Sequence, residues 1–308
     1  MKKFKSFALF TTAATYLLIF IGGLVRVSGA GLGCPDWPKC FGRWIPPTDI
    51  SQLPPDMDPN LFNFTLAWIE YINRLAGMTV GLLIAVLAVW AIVKFRDQKN
   101  ILIPAVLSAL LVAFQGWQGS KVVSSGLEPF VITIHMALAF IIVSLVLYVY
   151  LQSHLRLKNN QLLLVRQNIK RAVLGLYLIS IVQIIIGTQI RSQIEHIQKA
   201  TPLLETGAVL DLVGFTTPLH VALALGMIVS AIYLRTYFKS TERSIPSHIE
   251  NLLNAAIILF VLQVLVGMVL IWIDLPALGR VIHLWISSMI IGVLLTLFVF
   301  LKTKGKNV

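Results

Sequence analysis

Three histidines lie inside long apolar stretches of the sequence, where an ionisable side chain indicates a functional site. They are His135, His220 and His283. Such residues are costly in lipid, so those that remain usually bind ligands or carry protons. A packed, hydrogen-bonded imidazole is the alternative for any one of them, but it explains three repeat-related histidines less well.

His220 and His283 are 63 residues apart, and both lie within roughly 15 Å of the predicted outer membrane boundary at about 1.5 Å of helix rise per residue. Two imidazoles from facing helices can ligate a haem iron. Zinc would need a third or fourth nitrogen or sulfur ligand, which this pair lacks. The sequence therefore predicts a b-type haem held by His220 and His283.

The equivalent pair in the first half of the chain is Asn73 and His135, which are 62 residues apart. Asparagine is a poor iron ligand, because haem iron in proteins usually takes imidazole or sulfur ligands. We therefore expect one strong ligand in this half, His135, and a vacant position opposite it.

Glu70 and Arg74 lie on either side of Asn73 in the sequence, near the outer end of the second apolar stretch. Residues three and four apart share one face of a helix. One interpretation is an ion pair between Glu70 and Arg74 that anchors the helix at the membrane interface. The other makes Glu70 an acid or base beside a haem edge, with Arg74 available to a propionate group.

Cys34 and Cys40 are the only cysteines, and both lie in the segment GLGCPDWPKCFG. With five residues between them, they can form a disulfide in an oxidising compartment. Such a bridge would staple the loop. A role in redox chemistry or in substrate relay is the alternative.

The other three histidines are expected to be solvated. His154 and His248 fall in predicted cytoplasmic loops, and His196 falls in the second predicted outer loop.

Membrane helices must position these residues. Of the 308 residues 57% are hydrophobic and 12% are charged, against about 25% charged in soluble domains, which excludes an ordinary soluble protein. Each charge-free stretch approaches or exceeds the roughly 20 residues that span a bilayer as a helix. The eight stretches are 6–25, 75–93, 100–120, 129–155, 172–190, 212–234, 251–273 and 281–301. The predicted fold is an all-α integral membrane protein with eight transmembrane helices.

The basic residues predict the orientation of these helices. With the N-terminus inside, 17 of the 25 Lys and Arg residues fall on the inner side, and ten of the 13 acidic residues fall outside. Cytoplasmic loops carry such an excess of Lys and Arg, so both termini are predicted to be cytoplasmic. The net charge of +12 therefore needs no nucleic-acid partner.

The two halves of the chain resemble each other. Gln115 and Gln263 each precede a histidine, His135 and His283, by 20 residues, and a glycine follows each glutamine by four. The segments IGGLVR in the first half and IIGTQIR in the second half are also similar. The pattern predicts two duplicated four-helix bundles.

We place these bundles at residues 1–155 and 156–308. The first outer loop, about residues 27–64, is longer and richer in Gly and Pro than its counterpart at about residues 191–211.

The segments that carry the polar residues resemble the haem A synthases of bacteria and mitochondria. They are RVSGAGLGCPDWPKC, IEYINRLAG, SGLEPFVITIHM, TPLHVALAL and RVIHLW. The resemblance covers almost the entire chain, and the motif around Glu70 and the ordered histidines are its fairly specific parts.

The resemblance implies an enzyme that oxidises the C8 methyl group of haem O to a formyl group, giving haem A for terminal oxidases. The substrate haem would lie in the N-terminal half against His135, with Asn73 and Arg74 beside it. A b-type cofactor haem would lie in the C-terminal half. Glu70 matches the family's catalytic glutamate. The family hydroxylates the methyl group twice, and the geminal diol then loses water.

One position departs from the family pattern, which usually is Glu-x-x-His-Arg. This chain has Glu70, Asn73 and Arg74, so two-sided ligation of the substrate haem is not expected. The cysteine pair matches one branch of the family.

The resemblance also implies partners and a location. Beyond haem O and membrane lipid, the candidates are haem O synthase, terminal-oxidase assembly factors and a second copy of the chain, in the bacterial cytoplasmic membrane. The main alternative function is a non-catalytic b-type cytochrome between a quinone and an outer partner, which Asn73 favours. A transporter is weaker, because the spans lack the Gly/Pro-broken pairs of a midplane site.

Overall fold

The computed structural model describes residues 1–157, 162–241 and 245–303, and most of this part of the chain is helical. Eight of its helices are long and apolar enough to cross a membrane. The helices are α1 (Lys2–Val27), α2 (Phe64–Lys94), α3 (Lys99–Ser124), α4 (Pro129–Leu157), α5 (Gln167–Ala200), α6 (Thr206–Val213), α7 (Thr216–Thr241), α8 (Ser247–Trp272) and α9 (Ala277–Phe300), with only α6 too short to span. The predicted all-α membrane fold is confirmed, while the duplication and the cytoplasmic termini stay predictions.

Helix α2 shows why these sequences form membrane helices. Its buried face carries Ile84 and Leu87, which are fully inaccessible, whereas Met78 and Leu82 on the other face are about 60% exposed. Both faces are apolar, so the exposed one suits lipid rather than water. In lipid every backbone N–H and C=O must find a partner within the protein, which a helix provides.

The described chain divides into two compact units, Met1–Tyr150 and Leu151–Val308. The first contains α1, α2, α3 and most of α4, and its core is formed by residues such as Phe4, Ile84 and Val146. The second contains α5 to α9 and a short parallel pair of strands, β1 (Leu163–Val165) and β2 (Leu301–Thr303), which the sequence did not predict.

The predicted second outer loop is wrong over most of its length, because α5 continues to Ala200 and α6 follows. The extension contains no Gly or Pro, and Arg191 and Glu195 form an ion pair of 2.8 Å along it. Ile190 and Ile194 pack on the apolar face of α6. The helix ends just before Pro202, as the steric restriction on the residue preceding proline requires.

Two further expectations are affected by these assignments. The three histidines predicted to be solvated in loops all lie in helices: His196 is exposed on α5, whereas His154 on α4 and His248 on α8 are half-buried and pack against Phe300. Five charges counted in predicting the orientation lie outside the described residues, namely Lys158, Glu242, Arg243, Lys304 and Lys306.

The first outer loop is held together by local turns and a small core. Cys34, Cys40 and Phe41 are buried against Ala67 of α2. The carboxylate of Asp36 accepts hydrogen bonds from the backbone N–H groups of Phe41 and Gly42. The loop therefore has a defined shape, which it presents to the first turns of α2.

Candidate functional site

His220 and His283 face each other in the C-terminal unit. His220 lies near the beginning of α7 and His283 near the beginning of α9, and their ring centroids are 6.5 Å apart. Half of that separation is about 3 Å, close to one metal–nitrogen bond of about 2 Å plus the distance of about 1 Å from a ring nitrogen to the ring centre. The spacing suits two imidazoles on opposite sides of one iron.

Two glycines leave room for these rings. A Cβ on Gly187 of α5 would lie 3.1 Å from Cε1 of His220, and a Cβ on Gly267 of α8 would lie 3.3 Å from Cε1 of His283. Both distances are shorter than ordinary carbon–carbon contacts of about 3.5–4.0 Å. The Nδ1 atoms of His220 and His283 are also buried without a partner among the described residues, so neither ring is committed to a protein hydrogen bond through this atom.

The C-terminal site also contains a residue that the sequence analysis missed. Gln183 of α5 donates a hydrogen bond of 2.6 Å to the carbonyl oxygen of His220. Gln183 and Gly187 have the same spacing as the two Gln–Gly pairs that were recognised, so the repeat contained the signal.

His135 lies in the N-terminal unit, on α4, and is oriented by α3. Its Nδ1 lies 2.8 Å from Oε1 of Gln118, and the amide nitrogen of Gln118 donates to the carbonyl of Val131 at 2.7 Å. An amide oxygen can only accept, so Nδ1 carries the proton and the lone pair of Nε2 is left for a ligand. Gln118 is another residue that sequence reasoning did not identify.

Glu70 is buried on α2 and has partners on both carboxylate oxygens. Its exposed fraction is 4%. Oε1 accepts hydrogen bonds from Arg74, the shorter of them 2.5 Å long, and Oε2 accepts from the backbone N–H of Cys34 at 2.8 Å. Glu70 therefore joins α2 to the first outer loop.

Arg74 uses all five of its N–H donors in the same region. Besides Glu70, it donates to the carbonyl oxygens of Asp36 and Lys39 at 2.8 Å and of Cys34 at 3.4 Å. A guanidinium has five donors, so in this structure Arg74 would have to release a loop carbonyl before it could bind a propionate. Asn73 is half-buried next to it.

Cys34 and Cys40 form a disulfide, which confirms the predicted pairing. The bridge closes the loop that supplies the carbonyls to Arg74 and the backbone N–H to Glu70. Glu70, Arg74 and the disulfide loop are thus one connected structure.

No group of three or more His, Cys, Asp or Glu side chains in the described ranges is arranged to hold a metal ion directly. A pair of histidines, or one alone, suits a metal that brings other ligands with it, as iron in a porphyrin does.

Comparison with known proteins shows the family of this chain. Residues 5–295 match the family described as cytochrome oxidase assembly protein. The chain belongs to this family. Its members among the relatives include proteins named haem A synthase, so the predicted membership of the haem A synthase family is confirmed.

Three of these haem A synthases, each from a different bacterium, are similar to this chain. The haem A synthase of Shewanella oneidensis is 36% identical over 152 residues, which are 47% of this chain and 44% of the relative. The haem A synthase of Geobacillus kaustophilus is 29% identical over 46% of this chain and 40% of the relative. The haem A synthase of Bartonella tribocorum is 31% identical over 36% of this chain and 35% of the relative. These alignments span less than half of the length of the relatives they match.

Proposed function

We propose that this protein is a haem A synthase, which oxidises the C8 methyl group of haem O to a formyl group. The substrate haem contacts His135 in the N-terminal unit, and a b-type haem is ligated by His220 and His283 in the C-terminal unit. The 6.5 Å separation of the His220 and His283 rings carries this proposal, because it suits ligation of one iron from both sides.

The overall reaction converts the methyl group and one water into the formyl group and releases four protons and four electrons, and the electrons must pass to an external electron acceptor. The bound b-type haem supplies one-electron redox chemistry. The protein's own residues orient the substrate and move protons. His135 is fixed as the Nδ1–H tautomer by Gln118, so its Nε2 would be the atom available to ligate the substrate iron.

Glu70 is the proposed proton acceptor in this reaction. It is a buried carboxylate three residues before Asn73, and Arg74 and the Cys34 N–H hold its two oxygens in place. A carboxylate positioned in this way can take up a proton as the methyl group is oxidised. The same contacts also support the structural interpretation, in which Glu70 only fastens α2 to the outer loop.

A b-type membrane cytochrome is the second candidate, and two observations favour it. Asn73 stands where the family usually has a histidine, and all donors of Arg74 are engaged by Glu70 and the loop. In this alternative the His220 and His283 haem would pass electrons without oxidation of a second haem.

Haem extraction distinguishes the two functions. Cells that make haem O are grown with and without the gene for this chain, and their extracted haems are separated by chromatography and identified by mass. Haem A or hydroxylated haem O that depends on this chain is the expected result. Protohaem alone, from folded protein in haem O-containing cells, would establish the cytochrome and reject the synthase.

A further inference from the structure

Three histidines of this chain each lie opposite the same pair of residue types on a neighbouring helix. In each case a glutamine and a glycine four residues later lie on one helix, and the histidine lies on another. The three sets are Gln115, Gly119 and His135; Gln183, Gly187 and His220; and Gln263, Gly267 and His283. We call each such set an imidazole seat.

The glycine of each seat lies against the edge of the imidazole ring. A Cβ would lie 3.1 Å from Cε1 of the histidine at Gly187, 3.3 Å at Gly267 and 3.6 Å at Gly119. Only the last distance is an ordinary contact. The rings of the C-terminal unit therefore occupy space that any larger residue would fill.

The glutamine of each seat ties the histidine's backbone to the neighbouring helix. Gln183 donates to the carbonyl of His220 at 2.6 Å, and Gln115 donates to that of His135 at 2.9 Å. Gln263 reaches its histidine through one hydroxyl, since it donates to Ser287, which donates to the carbonyl of His283. Hydrogen bonds of this kind between helices also stabilise membrane bundles.

The N-terminal half has no imidazole seat at the place that corresponds to the His220 seat. When IGGLVR is aligned with IIGTQIR, Gly187 corresponds to Gly22 and Gln183 corresponds to Leu18, while Asn73 stands in the place of His220. Nothing lies within 4 Å of a Cβ built on Gly22. The glutamine donor and the close glycine contact are absent where the imidazole is absent.

We propose that Gln183, Gly187, Gln263 and Gly267 are positioning residues that set the His220 and His283 rings for ligation of a shared iron. The iron part of this inference rests on the proposed function, whereas the placement of the rings does not. The alternative is that the glycines merely allow close packing of helices, as small residues do throughout membrane proteins.

Glycine-to-alanine variants separate the two explanations, because the chain offers matched controls. Gly187→Ala and Gly267→Ala add a methyl group against a ring. Gly119→Ala adds one at an ordinary distance, and Gly175→Ala adds one on α5 where nothing lies within 4 Å. All four replace a helical glycine by alanine, so none lowers helix propensity.

The first measurement needs no haem. Full-length protein labelled with ¹³C at histidine Cε1 is prepared in haem-free form, and the His220 and His283 resonances are assigned with alanine variants. Gly187→Ala should shift the His220 resonance, and Gly267→Ala should shift that of His283 by less. Gly175→Ala should leave both unchanged. Equal spectra for Gly187→Ala and Gly175→Ala would overturn the proposal.

The second measurement adds protohaem to the same proteins. Gly187→Ala should weaken binding by about tenfold or more, the range found when groups that orient metal ligands are removed, and should change the g-values of the low-spin signal. If the ring resonances shift but wild-type protein forms no low-spin haem, the glycines do position the rings and the proposed function is wrong. If wild-type protein forms the low-spin haem and Gly187→Ala and Gly267→Ala bind it unchanged, the positioning role is rejected.

Discussion

At the scale of single residues, the histidines, Glu70 and Asn73 carry the proposed chemistry. Their roles differ in what they require. The paired histidines need only a fixed separation, which the structure has at 6.5 Å. Glu70 needs, in addition, a protonation change during turnover, and its present contacts with Arg74 and Cys34 fit both a catalytic and a fastening role.

Replacing either histidine of the C-terminal pair should abolish its haem signal. We expect His220→Ala and His283→Ala each to lose the low-spin spectrum of the purified protein, because one imidazole cannot provide both axial ligands. His196→Ala, at an exposed position on α5, is the control and should keep it. Wild-type spectra in both variants would show that the haem is ligated elsewhere.

Glu70→Gln should retain the haem at His220 and His283 but produce little or no haem A, because the amide cannot accept the proton. The measurement is the extracted-haem profile together with the low-spin spectrum. Glu195→Gln is a matched control, since Glu195 forms the equivalent ion pair with Arg191 four residues away. Near-normal haem A production by folded Glu70→Gln protein would reject the catalytic role of Glu70 and leave its structural role between α2 and the outer loop.

Asn73→His should be tolerated and should convert the N-terminal site to a six-coordinate form, because it adds the imidazole that the family usually has at this position. The spectrum of bound haem O would report the change as an increased low-spin fraction. An unchanged spectrum would mean that the Asn73 position does not face the iron held by His135.

At the scale of elements, the first outer loop and α2 are joined by one arginine and one glutamate. Arg74 holds the carbonyls of Asp36, Lys39 and Cys34, and Glu70 holds the N–H of Cys34. The disulfide closes the same loop. The loop conformation and the position of Glu70 therefore depend on each other.

Arg74→Lys should loosen the loop although the charge is kept. Lysine has three donors on a single nitrogen and cannot reproduce the planar fork that reaches Glu70 and three carbonyls. We expect faster proteolysis within residues 35–62 of folded protein. The control is Arg43→Lys, whose side chain donates to a single carbonyl among the described residues, that of Gln52. Equal cleavage rates in the two variants would show that Arg74 does not hold the loop.

At the scale of the whole molecule, the charge pattern makes a prediction about orientation. Both termini should be cytoplasmic and the Cys34–Cys40 bridge should lie outside, where its closed loop would contribute about 2 kcal/mol by restricting the unfolded chain. A membrane-impermeant thiol reagent should label neither cysteine in intact cells until a reductant is added. Labelling of both without reductant would exclude a stable bridge, and labelling only after the membrane is opened would reverse the orientation.

The sequence alone determined the membrane class and the eight spans, and it predicted which residues could carry chemistry. Apolar stretches of about 20 residues have few alternatives to a helix in lipid, because their backbone groups have no water to bind. Repeat spacing identified His135, His220 and His283, and the two cysteines had only each other as partners.

Only the tertiary structure decided what surrounds those residues. The extension of α5 depends on contacts of Ile190 and Ile194 with α6, and the roles of Gln118 and Gln183 depend on which helix lies opposite. Such contacts arise between segments distant in sequence. Lipid-facing and helix-facing side chains are both apolar, so the sequence does not show which helix faces pack together. The packing therefore decides which polar groups come into contact.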